Sequence, residues 1–384
     1  VMRVSGDWLT DPRTQAVMAC LVDAGFQALV VGGCVRNALL GAPVHDIDIA
    51  TDARPETVSE LGESAGFKVV PTGIEHGTVT VVADHVPHEI TTFRRDVETD
   101  GRRAVVAFST EIADDARRRD FTMNALYARA DGTVVDPLGG LPDLLERRVR
   151  FIEDAAERLR EDYLRALRFF RFNAWYGDPA QGFDPEALEA IAAHLDGLDG
   201  LSRERVGAEL LKLLAAPDPA PAVATMRQLG VLMRLLPGCD DTALAVLVHL
   251  EQQVGIAPDA LRRLALLGGE GLKTRLRLSK AQSTRTGVLR DLATEGMGPA
   301  ETAYRHGAET ARDAALLRAA LMGQLLPPQL EAEIATGAAA QFPVKPADLM
   351  PDHAGPALGR KLAALESAWI ASGFRATRDD LLND

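Results

Sequence analysis

Residues 28–50 read ALVVGGCVRNALLGAPVHDIDIA, and the fold turns on how this stretch is parsed. Ala28–Val31 is a short apolar run that predicts a buried strand. Gly32-Gly33 predicts a turn where backbone can approach a ligand with no Cβ in the way. Cys34–Leu40 predicts a short helix, and Gly41 stands where a left-handed C-terminal residue is wanted. Val44–Ala50 predicts a second strand bearing Asp46 and Asp48. Strand side chains two apart share a face, so these carboxylates are expected side by side near a helix-opening glycine turn. Paired carboxylates suit a divalent metal, and the glycine turn suits a phosphate chain. Each part alone has a plain structural reading, since a D-x-D and a Gly-Gly turn are both common. Ala50 stands where an EF-hand needs an oxygen ligand, and the G-x-G-x-x-G and P-loop patterns are absent.

Outward from this stretch, Pro12–Ala24 predicts an amphipathic helix, and Thr51-Asp52 is expected to cap a helix beginning near Pro55. Phe67–Pro71, Thr78–Ala83 and Pro87–Thr92 predict further strands. Their connections are too short for parallel crossovers, so the sheet is expected to be mixed or antiparallel. Glu89, on the last of these strands, reads equally as a third metal-site acid or an exposed strand residue. Arg94–Arg103 reads as a mobile loop centred on Asp100-Gly101. Arg117–Ala125, RRRDFTMNA, sets three arginines before Asp120. A helix cap would explain Asp120 but not the arginines, whereas a triphosphate beside the glycine turn would. Asp136–Gly140 reads as a hinge that closes the first domain.

Beyond it the pattern is helical. A helix is expected over Glu153–Trp175, with Asp162, Arg165, Arg168 and Arg171 at three-residue spacing on one polar ridge. Leu164, Leu167 and Phe170 form the neighbouring apolar stripe. The ridge reads as a solvated ion-pair ladder or as donors and acceptors aimed at a base edge. Residues 217–384 are helical by periodicity, and no catalytic cluster is evident in them.

The 384 residues are 47% hydrophobic and 25% charged, a composition ordinary for a globular protein. The net charge of −13 weighs against a nucleic-acid partner, but it is unevenly spread. Residues 91–172 hold 16 Arg, no Lys and 16 Asp+Glu, so this segment is neutral. Arginine without lysine favours bidentate recognition of phosphates and base edges. Three cysteines without C-x-x-C spacing support neither a disulfide framework nor a zinc site. No leader pattern and no run of roughly 18 apolar residues is seen, so a cytoplasmic protein with no membrane association is expected.

Four blocks then stand in order: GGCVRNALLG with DID, HEITTFR, RRRDFTMNA and EDYLRALRFFRF. A weaker echo follows in Leu201–Val206 with Glu209. Together they resemble the bacterial-type (class II) tRNA nucleotidyltransferases, the CCA-adding enzymes, and their poly(A) polymerase relatives. The resemblance implies an α+β chain with a polymerase-β-like head over residues 1–140. It implies a helical neck with base recognition over 141–216, and a helical body and tail binding tRNA over 217–384. It implies Asp46 and Asp48 as ligands of two Mg²⁺ ions; Glu89, from its strand position, is kept beside them as a candidate catalytic acid. Gly32, Gly33, Arg36, Arg119 and Asp120 are implied as nucleotide contacts. Asp162 and Arg165 are implied as a protein template for the edge of CTP or ATP, with Arg168 and Arg171 as triphosphate or base-supporting contacts. Asn37 departs from the Asp usual in the family.

The implied activity is addition of C, C and A to the 3′ end of tRNA without a nucleic-acid template. The rivals are a poly(A) polymerase and a non-catalytic RNA-binding relative. A single lysine in residues 66–77 speaks against the first, and the intact Asp46–Asp48 pair against the second.

Overall fold

The computed structural model describes residues 2–100 and 103–383. The chain divides into two compact units, residues 1–235 and 236–384.

The first unit opens with α1 (Asp7–Thr10) and α2 (Pro12–Val22). Asp11 caps α2 by accepting from the Arg13 amide, and Pro12 occupies its first turn. Then come β1 (Leu29–Val31), α3 (Gly33–Leu40), β2 (Asp48–Thr51) and α4 (Pro55–Ser64). β3 (Lys68–Gly73), β4 (Thr78–Ala83) and β5 (Val86–Thr92) follow. These strands join β8 (Tyr127–Ala128) and β9 (Val134–Val135) in a seven-stranded sheet ordered β3-β4-β5-β2-β1-β8-β9. Only β2 and β5 run parallel; the other pairs are antiparallel, so the sheet is mixed as expected. Ile49, Val79, Val81 and Ile90 are buried on the side that meets Val17, Met18 and Leu21 of α2 and Val58 of α4. Leu29, Val31 and Ala50 join Phe93, Ala116, Ala125, Tyr127 and Ile152 in a second cluster.

Two expectations in this region change. The strand predicted from Val44 begins at Asp48, leaving Asp46 in the preceding coil. Its antiparallel neighbour β1 is three residues long and stops at the Gly32 turn, so residues before Asp48 have no partner there. The predicted loop at 94–103 is instead a ribbon of β6 (Arg94–Asp100) and β7 (Arg103–Phe108), bulged between Asp96 and Glu98. The charged residues of Arg94–Asp100 give no apolar alternation to mark a strand, so its pairing with β7 was hidden in the sequence. Gly101 and Arg102, at the centre of the expected loop, lie outside the described residues.

The unit continues through α5 (Ile112–Arg117), α6 (Leu141–Leu145), α7 (Ala155–Glu161) and α8 (Leu164–Tyr176). α9 (Pro185–Ala193), α10 (Arg203–Leu214), α11 (Ala220–Gln228) and α12 (Val231–Leu235) complete it. The single helix expected over 153–175 is broken at Asp162, whose backbone is extended (φ −156°, ψ 106°). Asp162 turns its side chain to the Leu164 amide instead, so it stands before the ridge rather than on it. Leu164, Leu167 and Phe170 are buried as expected. Phe121 packs its ring 5.0 Å from Phe151 and 5.0 Å from Phe172, tying the sheet region to α8. Burying each such ring is worth about 1.5–3 kcal/mol.

The second unit is helical: α13 (Leu244–Val254), α14 (Ala260–Leu267), α15 (Leu272–Arg275), α16 (Lys280–Thr294), α17 (Pro299–His306), α18 (Ala308–Met322), α19 (Leu330–Ala339), α20 (Gly355–Ala371) and α21 (Arg378–Asn383). Among the described residues no helix is long and apolar enough to cross a membrane.

Candidate active site

A cleft of about 590 Å³ opens above the sheet in the first unit. Its acidic floor comes from register: Asp48 on β2 stands directly opposite Glu89 on β5, both exposed. The parallel pairing therefore joins two acids 41 positions apart in the chain. The cleft walls strip water from the Asp48 carboxylate and Glu89 crowds it, which raises its pKa; Arg119 opposes the rise and Asp46 adds to it. Asp46 is exposed and, like Arg171, is not among the described residues lining the cleft.

Beside the acids, Gly32 takes φ +74° and ψ −119°, a conformation open to glycine, and leads into α3. A Cβ there would sit 3.3 Å from Arg119 Nη1, so the turn also makes room for that guanidinium. Arg119 Nη2 donates to Asp115 Oδ2 (3.1 Å), and the Tyr127 hydroxyl donates to the same oxygen (2.7 Å). Burial alone would lower the pKa of Arg119, but Tyr127 and Asp115 outweigh it and hold it above the usual arginine range. The i,i+4 spacing of Asp115 and Arg119 was visible in the sequence.

Arg36, 7% exposed, lies 4.0 Å over the Tyr176 ring and 5.1 Å over Phe172. Its guanidinium donates to Asn37 Oδ1, Asn124 Oδ1 and the Tyr176 hydroxyl. Asn37 thus serves as an acceptor for Arg36, while its amide donates to the Pro43 carbonyl (2.9 Å).

Asp120 is buried and caps no α-helix. Its Oδ1 accepts from the Phe121 amide (2.8 Å) and Asn124 Nδ2 (2.9 Å), and its Oδ2 from Arg168 Nε (2.7 Å) and Nη2 (2.6 Å). Burial pushes its pKa up, but Arg168 and Asn124 more than reverse this and leave it below the ordinary value. Arg171 Nε donates to Glu209 Oε2 (2.6 Å), and Glu209 is buried on α10.

At the far wall Asp162 and Arg165 both line the cleft; the Arg165 amide donates to the Asp162 carbonyl (3.0 Å), while their side chains bond to other groups. Asp162 Oδ1 accepts from the Leu164 amide, and Oδ2 from Arg205 Nη2. Arg165 is braced by Glu161 and by the carbonyls of Arg158 and Arg118. Arg118, one of the three arginines before Asp120, also lines the cleft, as do Arg205, Asp115 and Phe172, which were not singled out from sequence; Arg205 belongs to the Leu201–Val206 echo. Among the described residues, no group of three or more His, Cys, Asp or Glu converges to hold a metal.

Comparison with known proteins agrees with this architecture. Residues 28–150 match the poly A polymerase head domain, and residues 182–242 the probable RNA and SrmB-binding site of polymerase A. The chain is 34% identical over 376 residues to CCA tRNA nucleotidyltransferase 1, mitochondrial, of Mus musculus, covering 92% of this chain and 85% of that protein. It is 32% identical over 369 residues to the CCA-adding enzyme of Limosilactobacillus fermentum, covering 91% and 90%. The crystal structure of the Bacillus stearothermophilus CCA-adding enzyme in complex with CTP is similar at TM-score 0.74 and 29% identity, covering 94% of this chain and 93% of that one. The Thermotoga maritima CCA-adding enzyme complexed with tRNA shares the fold, with TM-score 0.72 at 17% identity, covering 100% and 98%. With identity above 30% running through most of both chains, and the four motif blocks in order, the protein belongs to the CCA-adding tRNA nucleotidyltransferase family, the poly(A) polymerase-related enzymes.

Proposed function

We propose that the protein adds C, C and A to the 3′ end of tRNA, using CTP and ATP and no nucleic-acid template. The observation that carries this reading is the convergence in one cleft of an acid pair, a glycine-opened helix start, a braced arginine set and the Asp162–Arg165 wall. The names of the relatives, and the CTP complex of the Bacillus enzyme, point the same way. In this reading residues 1–140 carry catalysis, 141–216 base recognition and 217–384 the hold on tRNA.

A divalent ion, Mg²⁺ in this proposal, would be held by Asp48 and Asp46 with Glu89 as a further acid. The crowding that raises the Asp48 pKa supports a cation there, and the donors are hard oxygens. Mg²⁺ is commonly held by a few carboxylates together with substrate phosphates. When bound, such ions activate the attacking 3′-hydroxyl and neutralise the leaving pyrophosphate.

The chain's own groups do the remainder. Gly32 and Gly33 lead the α3 amides toward a phosphate, and Arg36 and Arg119 supply preorganised positive charge. Asp120 and Glu209 hold Arg168 and Arg171 in place. Each Asp162 oxygen keeps an unused lone pair after the bonds described, enough to accept an exocyclic amino group. Arg165 spends three of its five N–H groups on the protein, which leaves donors for a ring acceptor. Cytosine and adenine both offer an amino donor beside a ring acceptor, whereas uracil and guanine place a carbonyl where the amino group should be. A mispairing costs on the order of 1–3 kcal/mol in unsatisfied groups. The three cysteines are free thiols, in keeping with a reducing, cytoplasmic setting.

The test is to incubate the protein with tRNA lacking its 3′ end, CTP, ATP and Mg²⁺, and to sequence the RNA ends. CCA ends are expected. Long A-tracts without C would favour the poly(A) polymerase reading, and steady UTP incorporation would defeat base selection.

A further inference from the structure

The acid pair divides the cleft into unlike halves. Toward β1 and β8 lie the glycine turn and Arg119, whose ring contact is Tyr127 of β8. Toward β4 the lining changes to hydroxyls. Thr91 follows Glu89 by two positions on β5 and so shares its face, and Thr78 of β4 is its direct register partner. Their Oγ1 atoms are 3.0 Å apart, both residues are half-buried, and both line the cleft. Arg94, at the start of β6, closes that end of the lining.

Resting on the proposed activity, we infer that Thr78 and Thr91 form the seat of the acceptor RNA's terminal ribose, with Arg94 toward its phosphate. Two substrates must meet at Asp48 and Glu89. The triphosphate, bearing several charges, belongs to the arginine-rich half. The other substrate presents an uncharged 2′,3′-diol, and the hydroxyl half matches it. A threonine pair that spends one O–H on itself keeps one donor and several lone pairs, which suit groups that both donate and accept. A seat built this way senses the 2′-hydroxyl, the group by which a protein tells RNA from DNA.

Two acceptors test this, both tRNA without its 3′ end, one closing in ribose and one in 2′-deoxyribose. Binding is measured by fluorescence anisotropy, which needs no turnover, and transfer is measured in parallel. The wild type is expected to bind the ribose-ended acceptor about five- to tenfold more tightly, the range of one or two lost hydrogen bonds. In Thr91→Val and Thr78→Val, which keep the β-branched shape, that preference should shrink toward unity while CTP affinity stays within twofold. Thr91→Ser should restore it, and circular dichroism checks that each variant is folded. Equal binding of the two acceptors by the wild type, or an undiminished preference in folded Val variants, overturns the inference. Wild-type protein that discriminates the acceptors yet makes no CCA would overturn the proposed activity and leave the ribose seat standing.

Discussion

Asp120 accepts hydrogen bonds from a backbone amide, an asparagine amide and a guanidinium with one buried carboxylate. Its folded-state pKa is depressed, so its contribution to stability is present above the ordinary carboxylate pKa and is lost as pH falls through the folded value. Asp120→Asn should cost about 1–3 kcal/mol at pH 7, discounted because Arg168 is partly exposed. Urea unfolding of both proteins at pH 7 and below about pH 4, near the unfolded carboxylate value, should show that difference narrowing toward acid. Asp48→Ala and Asp46→Ala should each remove nucleotide transfer while tRNA binding persists, read by end-labelling and gel shift. Retained transfer by Asp48→Ala would break the metal assignment. Asp162→Ala should blur selection of C and A over U before transfer itself is lost, measured as the ratio of kcat/KM for CTP and UTP.

At the scale of elements, the break between α7 and α8 places Asp162 at the cleft wall, and α10 delivers Arg205 to it. The turn is backed by Gly197, where a Cβ would come within 2.2 Å of the Tyr163 ring. Gly197→Ala must displace that ring beside Asp162. It should destabilise by about 1–3 kcal/mol, the usual cost of overpacking, and relax base choice without removing transfer. Thermal melting and the CTP-to-UTP ratio check the two parts. Wild-type selectivity in a destabilised variant would separate the turn from base recognition.

At the scale of the whole chain, every residue lining the cleft belongs to unit 1–235. The second unit holds a buried ionic knot: Glu251 of α13 accepts from Arg262 and Arg263 of α14, and Asp313 of α18 from Arg262 and Arg285. Arg263 is 1% exposed and Glu251 2%, so solvent screens this knot little. Glu251→Gln withdraws the counter-charge from buried guanidiniums and should cost about 3–5 kcal/mol. Calorimetry should show the loss, while CTP affinity, measured by titration, stays at the wild-type value.

Local pattern in the chain was enough for the strand–glycine–helix order around Gly32 and Gly33, the apolar stripe of α8, the helical C-terminal half and the motif order that names the family. Those features depend on neighbours a few residues apart, where periodicity and glycine stereochemistry act directly. Partner choice was beyond that reach. Asp48 meets Glu89 because β2 pairs parallel with β5, and Arg205 reaches Asp162 from 43 positions away. Arg36 is braced by Tyr176, 140 positions on. The start of β2 at Asp48 and the helix break that Arg205 meets at Asp162 follow the same rule. Hydrogen-bonded register and buried charge pairing form only after distant segments meet, and the energy of those contacts overrides the local preference written along the chain.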